Sequence, residues 1–150
     1  SLMSETPITS SADATKLISK FLAEFDREVV CILNLASDGK PISMNIVSVG
    51  TLNSALISPR EAMKSSILAN ASAFIVYHCH PSGNPKPSRD DAMTTQRLKD
   101  AGELLQIKLI DHIVVACGSG RSYSFLENGL IQTDDIVSKY DGLRIAERER

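Results

Sequence analysis

Two of the chain's three histidines, His78 and His80, stand two residues apart in the stretch HCHPSGNPKPSRDD, residues 78–91. They close the segment AFIVYHCH, residues 73–80, whose β-branched and aromatic residues read as a strand. Side chains two apart on a strand share a face, so both imidazoles point one way and Cys79 the other. Strand geometry sets their Cα atoms roughly 6–7 Å apart. Two imidazoles at that spacing can converge on one zinc ion, with Zn–N bonds of about 2.0–2.1 Å. A catalytic zinc typically takes three protein ligands and keeps one position for water, so a nearby carboxylate is expected to complete the set. Asp91 is the first candidate and Asp90 its rival; spacing alone does not separate them. Pro81, Pro85 and Pro87 fix φ along the intervening segment and lower the entropy cost of holding a compact connection. Ser88 lies between the histidines and Asp91 along the chain, where its hydroxyl could donate to a developing oxyanion. Each residue also has a plainer use, Ser88 as a helix N-cap and Asp91 as a partner of the helix dipole. The serine can do both jobs, since capping uses its oxygen and oxyanion stabilisation its proton.

These residues need elements to hold them. Leu17, Ile18, Phe21, Leu22 and Phe25 recur at helical spacing, with Ser10 or Ser11 as the cap and Asp13 in the first turn. EVVCILNL, residues 28–35, reads as a strand, SDGK as a hairpin turn, and ISMNIVSV, residues 42–49, as the return strand. Its alternation changes phase at Val47, which predicts a bulge. Ser58-Pro59-Arg60-Glu61 predicts a helix start with Glu61 as the reciprocal partner of a capping box, the helix running to about Asn70. A further helix starts at Ser88, with Ala92, Thr95, Leu98, Ala101 and Leu105 as its stripe. KLIDHIVVAC, residues 108–117, is a buried strand, either central or paired across a homodimer; GSGR is a turn and SYSF a short return strand. His112 in that strand reads as a core histidine. The order α-β-β-α-β-α-β-β predicts an α/β (α+β) domain, a mixed β-sheet flanked by helices. Its expected bounds are 13–131, between a flexible tail at 1–12 and a charged tail at 132–150.

The 150 residues suit one domain with one core. A net charge of −2 gives no general attraction to nucleic acid or anionic membrane. No apolar run approaches the ~20 residues needed to span a bilayer. The N-terminus lacks the basic and apolar regions of a secretory signal. Cys31, Cys79 and Cys117 are odd in number, widely spaced and without a CxxC pair, which argues against a disulfide framework and for a reducing compartment. A cytoplasmic protein is the expectation.

The spacing His78-x-His80-x7-Ser88-x2-Asp91 resembles, position for position, the metal motif of the JAMM (MPN+) metalloproteases. GTLNSALISPRE, HCHPSGNPKPSRDD, LKDAGELLQIKLIDHIVV and SFLENGL together resemble the RadC family of bacterial JAMM-domain proteins, over roughly Glu28 to Leu130. The resemblance implies a JAB1/MPN (cytidine-deaminase-like) architecture and a zinc held by His78, His80 and Asp91 with a water as fourth ligand. It also implies an upstream glutamate bonded to that water, Glu28 by its place at the start of the first strand. Glu24 is a poorer rival, and Glu61 is assigned to its capping box. Three departures stand out: Cys79 occupies the usual asparagine position, valine follows Glu28 where histidine is usual, and the resemblance starts downstream of the helix-hairpin-helix region that often precedes the domain.

The expected activity is zinc-dependent hydrolysis of a peptide or isopeptide bond in a protein or peptide substrate, with Glu28 and Ser88 catalytic. The alternatives are a non-catalytic MPN-type interaction module and a DNA-repair-associated RadC-like protein. Nucleic-acid binding is poorly supported for this domain, which is mildly acidic and has few aromatics for base stacking. A zinc nucleoside deaminase would need H-x-E and a later P-C-x-x-C, and neither is present.

Overall fold

The computed structural model describes residues 6–22, 25–50 and 57–131. In chain order the elements are α1 (Ser11–Leu22), β1 (Glu28–Leu35), β2 (Pro41–Gly50), α2 (Pro59–Leu68), β3 (Ala73–His80), α3 (Arg89–Leu105), β4 (Lys108–Ala116) and β5 (Ser122–Ser124). This is the order read from the sequence. Glu24 and the charged tail at 132–150 lie outside the described residues.

The strands form one mixed sheet in the order β2-β1-β3-β4-β5. β1 runs antiparallel to both β2 and β3, β3 and β4 are parallel, and β5 returns antiparallel along β4. Parallel neighbours require a crossover, and α3 supplies it. The β-branched run of β4 therefore sits inside the sheet, between β3 and β5, rather than at an edge open to a second copy. The bulge expected in β2 is present. Val30 pairs with Ser48 and Cys31 with Ile46, so Val47 is the unpaired extra residue.

Alternation along the strands sorts their side chains onto two faces. Tyr77 donates its hydroxyl to the Ala14 carbonyl, and Ser11 of α1 donates to Asp111, so odd-numbered β3 and β4 residues face α1. Asn34 of β1 exchanges hydrogen bonds with Ser65 and Ser66 of α2, and His112 of β4 bonds Thr95 of α3, so the even-numbered residues face α2 and α3. The core is continuous through the sheet, with Ile32, Leu33, Phe74, Ile75 and Tyr77 fully buried.

Four details depart from the sequence reading. Ser58 is the N-cap of α2, but its side chain makes no cap hydrogen bond, so Glu61 is not committed to a capping box. Pro59 already removes one of the unpaired N–H groups of that first turn, and Glu61 is exposed. In α3 the buried residues are Asp91, Thr94, Thr95, Leu98 and Gly102, while Ala92 and Leu105 are exposed. The inward stripe is half polar because it faces histidines. Ile8, which the sequence placed in the tail, is buried and donates its N–H to the Gly39 carbonyl. Finally, Cys79 and Cys117 form a disulfide. The parallel pairing of β3 with β4 brings two residues 38 apart in sequence to a Cα–Cα distance of 5.9 Å, a closeness their wide spacing concealed. Counting the three cysteines as unpaired was wrong for these two, and the inference from them to a reducing compartment loses its basis. Among the described residues no helix is long and apolar enough to cross a membrane.

Candidate metal centre

Three elements end at one point. β1 begins at Glu28, β3 ends at His80, and α3 begins just before Asp91. Antiparallel pairing of β1 with β3 sets Val30 opposite His78, and Glu28 lies two residues beyond Val30 on the same face. The α3 side of the sheet therefore carries Glu28, His78 and His80 together, and α3 lowers Asp91 onto them.

The start of α3 is closed by a capping box. The Asp91 N–H donates to Ser88 Oγ at 3.1 Å, and the Ser88 N–H donates to Asp91 Oδ2 at 2.8 Å. Ser88 and Asp91 thus hold each other, as the serine's capping role predicts. Asp91 is also the residue the helix turns inward, being 2 % exposed, whereas Asp90 is exposed. Of the two aspartates that spacing left open, only Asp91 reaches the histidines.

His78 is sandwiched between two carboxylates. Its Nδ1 lies 3.0 Å from Asp91 Oδ1 and its Nε2 3.5 Å from Glu28 Oε1. His80 Nε2 lies 3.3 Å from Asp91 Oδ2. His80 Nδ1 is 3.1 Å from the Asn84 carbonyl, which fixes a proton there and turns Nε2 toward Asp91, as the nitrogen a metal would take once its own proton has left. By the same logic the Asp91 contact assigns the proton of His78 to Nδ1 and leaves Nε2 as a lone pair. That Nε2 is buried and has no hydrogen-bond partner. A buried ring nitrogen without a hydrogen-bond partner beside a carboxylate has the setting of a metal ligand.

One donor atom from each of Glu28, His78 and His80 lies within 4.8 Å of the other two. This is a nitrogen–oxygen donor set of the kind zinc accepts. It differs from the expected set in having Glu28 beside the histidines, with Asp91 against the opposite nitrogen of His78. The residues present fit a divalent metal.

The electrostatics agree. Burial by itself would push the Asp91 carboxyl up, but hydrogen bonds from His78, His80 and the Ser88 N–H outweigh it and hold the group well below the usual carboxylate range. The His80 imidazole is raised, first by its hydrogen bond to Asp91, against the opposing effect of burial.

Behind the site lies a support the spacing argument missed. Thr95, one turn after Asp91, donates its hydroxyl to the Asp91 carbonyl at 2.7 Å. His112 Nδ1 donates to the same Thr95 oxygen, and its ring stacks on Phe125 with centroids 4.6 Å apart. His112 is 1 % exposed, and burial holds its imidazole down at about 3, so it is a neutral wedge behind His78 and Asp91. The signal was in the sequence, as a threonine at i+4 from Asp91 facing a histidine in the neighbouring strand. Only the packing of α3 on β4 brings them together.

The loop of residues 81–88 is tied down as well. Gly83 takes φ of 80°, and its carbonyl accepts from Arg121, next to β5. Lys86 N–H donates to Asn84 Oδ1 at 3.0 Å. The prolines thus frame a loop held at both ends, and the Asn84 carbonyl is aimed at His80.

Comparison with known proteins agrees with this architecture. A family model described as a RadC-like JAB domain matches residues 8–130. A UPF0758 protein of Thermotoga maritima is 41% identical over 126 residues, covering 81% of this chain and 55% of its own length. Others from Desulfitobacterium hafniense and Methanosarcina mazei are 37% and 35% identical, each covering 83% of this chain and 54% of the relative. The chain spans about half the length of the curated relatives it matches. With a matched family model over most of its length, and its five-stranded mixed sheet and three helices in keeping with a JAB/MPN domain, this chain belongs to the RadC-like JAB domain family.

Proposed function

We propose that this domain is a JAMM-type zinc metallohydrolase that cleaves a peptide or isopeptide bond. The observation that carries the reading is His78, whose two ring nitrogens face Asp91 on one side and Glu28 on the other. His78, His80 and Asp91 would hold the zinc. Bound there, zinc supplies Lewis acidity toward the scissile carbonyl and lowers the pKa of water toward ~7.

The chain's own residues supply the rest. Glu28 is half-buried at the strand start, within reach of His78, and can take a proton from the attacking water and return it to the leaving amine. The Asn84 carbonyl orients the His80 imidazole. Ser88 accepts from the Asp91 N–H, which leaves its own proton to donate to the carbonyl oxygen as charge develops.

A second coordination reading has its own support. One donor atom from each of Glu28, His78 and His80 lies within 4.8 Å of the other two, with Asp91 then orienting His78 through Nδ1. Metal analysis of protein prepared without chelators tests both. Stoichiometric zinc that persists in both His78→Ala and Asp91→Ala would refute the primary assignment. Loss of zinc in Glu28→Gln with retention in Asp91→Ala would establish the second.

A further inference from the structure

The three cysteines have three environments. Cys31 is fully buried in β1, and burial pushes its thiol up to about 12, so it has little thiolate to offer. Cys79 is also fully buried, but it stands between His78 and His80 and points to the opposite face of the sheet. Cys117, just past the end of β4, is only half-buried, the less buried of the two bonded cysteines. Cys79 and Cys117 are joined. A second link runs beside the first, from the Cys117 N–H to the His80 carbonyl at 3.0 Å. The end of β3, from which both imidazoles project, is therefore held to the end of β4 by the parallel ladder up to His80 and Ala116, by one backbone hydrogen bond beyond it, and by one covalent bond.

The site is also prepared for the open form. Cys79 Sγ lies 3.7 Å from the Leu22 carbonyl at the end of α1. A Cys79 thiol freed there would have the Leu22 carbonyl as an acceptor.

We infer that the Cys79–Cys117 bond is a reversible thiol–disulfide exchange site that acts as a latch on the metal centre, holding the His78-Cys79-His80 segment in its metal-retaining form while closed. The inference rests on the metal reading proposed above. Its reaction partners are low-molecular-weight thiols and disulfides of the glutathione class. In opening, a small thiolate attacks the sulfur of Cys117, the less buried partner, the protein S–S bond breaks, and Cys79 leaves as a thiolate that takes up a proton. A second small thiol then attacks the mixed disulfide, releasing the Cys117 thiol and one small-molecule disulfide. The protein gains two electrons and two protons, and two small thiols are oxidised to one disulfide. Closing is the reverse. Opening removes the covalent tie at the residue between the two imidazoles; loss of a group that orients ligating histidines typically costs about 10–100-fold in metal affinity, and loosening the segment that carries both is expected on that scale.

The test uses the whole chain, equilibrated with glutathione disulfide or with a phosphine reductant and then freed of either. Accessible thiols are counted after denaturation, and zinc affinity is measured by competition with a chromophoric chelator. Expected are one thiol after oxidation and three after reduction, with zinc held at least tenfold more weakly in the reduced protein. Cys117→Ser and the double variant Cys79→Ser/Cys117→Ser should show the weak affinity under both conditions, which separates the latch from zinc capture by freed thiols. Three thiols after oxidation would overturn the latch. So would equal or tighter zinc retention after reduction, or tight retention in the double variant; each leaves the metal reading standing. Absence of zinc binding in either redox state overturns the metal reading and the latch together.

Discussion

Asp91 and Glu28 approach His78 from opposite sides of one imidazole ring, at 3.0 Å from Nδ1 and 3.5 Å from Nε2. One carboxylate comes from a helix N-terminus and the other from the first residue of a strand. The two positions differ in burial, Asp91 being sealed and Glu28 half-open, which suits one to hold and the other to exchange protons with incoming water. Several consequences can be measured.

Glu28→Gln keeps size and loses the basic oxygen. On the primary reading the variant retains stoichiometric zinc and loses about 10²–10⁴-fold in kcat on a cleavable isopeptide, the usual scale for a general base. Parallel metal analysis and single-turnover hydrolysis check this. Unchanged hydrolysis would remove Glu28 from the chemistry.

Ser88 is expected to show two separable effects. Ser88→Ala removes the acceptor for the Asp91 N–H and should cost about 1 kcal/mol in urea denaturation. Ser88→Asp restores an N-cap acceptor without a donatable proton. Its stability should recover while kcat stays low. Recovery of both in Ser88→Asp would reduce the serine to a cap.

Acid should destabilise the fold through His112. Burial holds this imidazole at about 3, below the usual 6.5, so its contribution to stability is complete above pH ~6.5 and is lost as pH falls toward 3. Asp111 runs the other way. Burial pushes its carboxyl up to about 6, so its contribution is fully present below its ordinary value of 3.8 and is lost as pH rises through about 6. In His112→Gln the loss of stability between pH 6.5 and 4 should shrink, by an amount on the order of a few kcal/mol, with Asp111 common to both proteins. Denaturant titrations at the two pH values measure it. An unchanged slope would mean that another group dominates the acid response.

Gly102 is the tight point under α3. A Cβ there would collide with the Ile107 carbonyl and come within 3.0 Å of Phe74 Cε1. Gly102→Ala should therefore cost about 1–3 kcal/mol despite the higher helix propensity of alanine. A thermal melt that rises instead would show that the turn after α3 can move aside.

Much of the architecture was legible in local pattern. The eight elements follow from β-branched runs, turn residues and helix caps, and the phase change at Val47 marked the bulge, because these signals live within a few residues of chain. The HxH pair was legible for the same reason, since a strand's period of two places both imidazoles on one face. The errors came where a partner decided the outcome. Glu61 looked like half of a capping box, yet in an exposed turn beginning with proline that bond is not made. The stripe of α3 was drawn through Ala92, Thr95, Leu98, Ala101 and Leu105; Thr95 and Leu98 do face inward, but the surface the helix meets holds His78, His80 and His112, so Asp91 turns inward and Ala92 and Leu105 do not.

The chain's residue order by itself determined the strands, the helix starts and the facing of the two histidines, since each depends on backbone preferences and side-chain chemistry acting over a turn or a strand. Only the tertiary structure chose Asp91 over Asp90, brought Glu28 to the far side of His78, set His112 behind Thr95 and joined Cys79 to Cys117. Those four relationships depend on strand register and on how a crossover helix rolls onto the sheet. Both are set by cooperative packing of the whole core, and no local spacing encodes them.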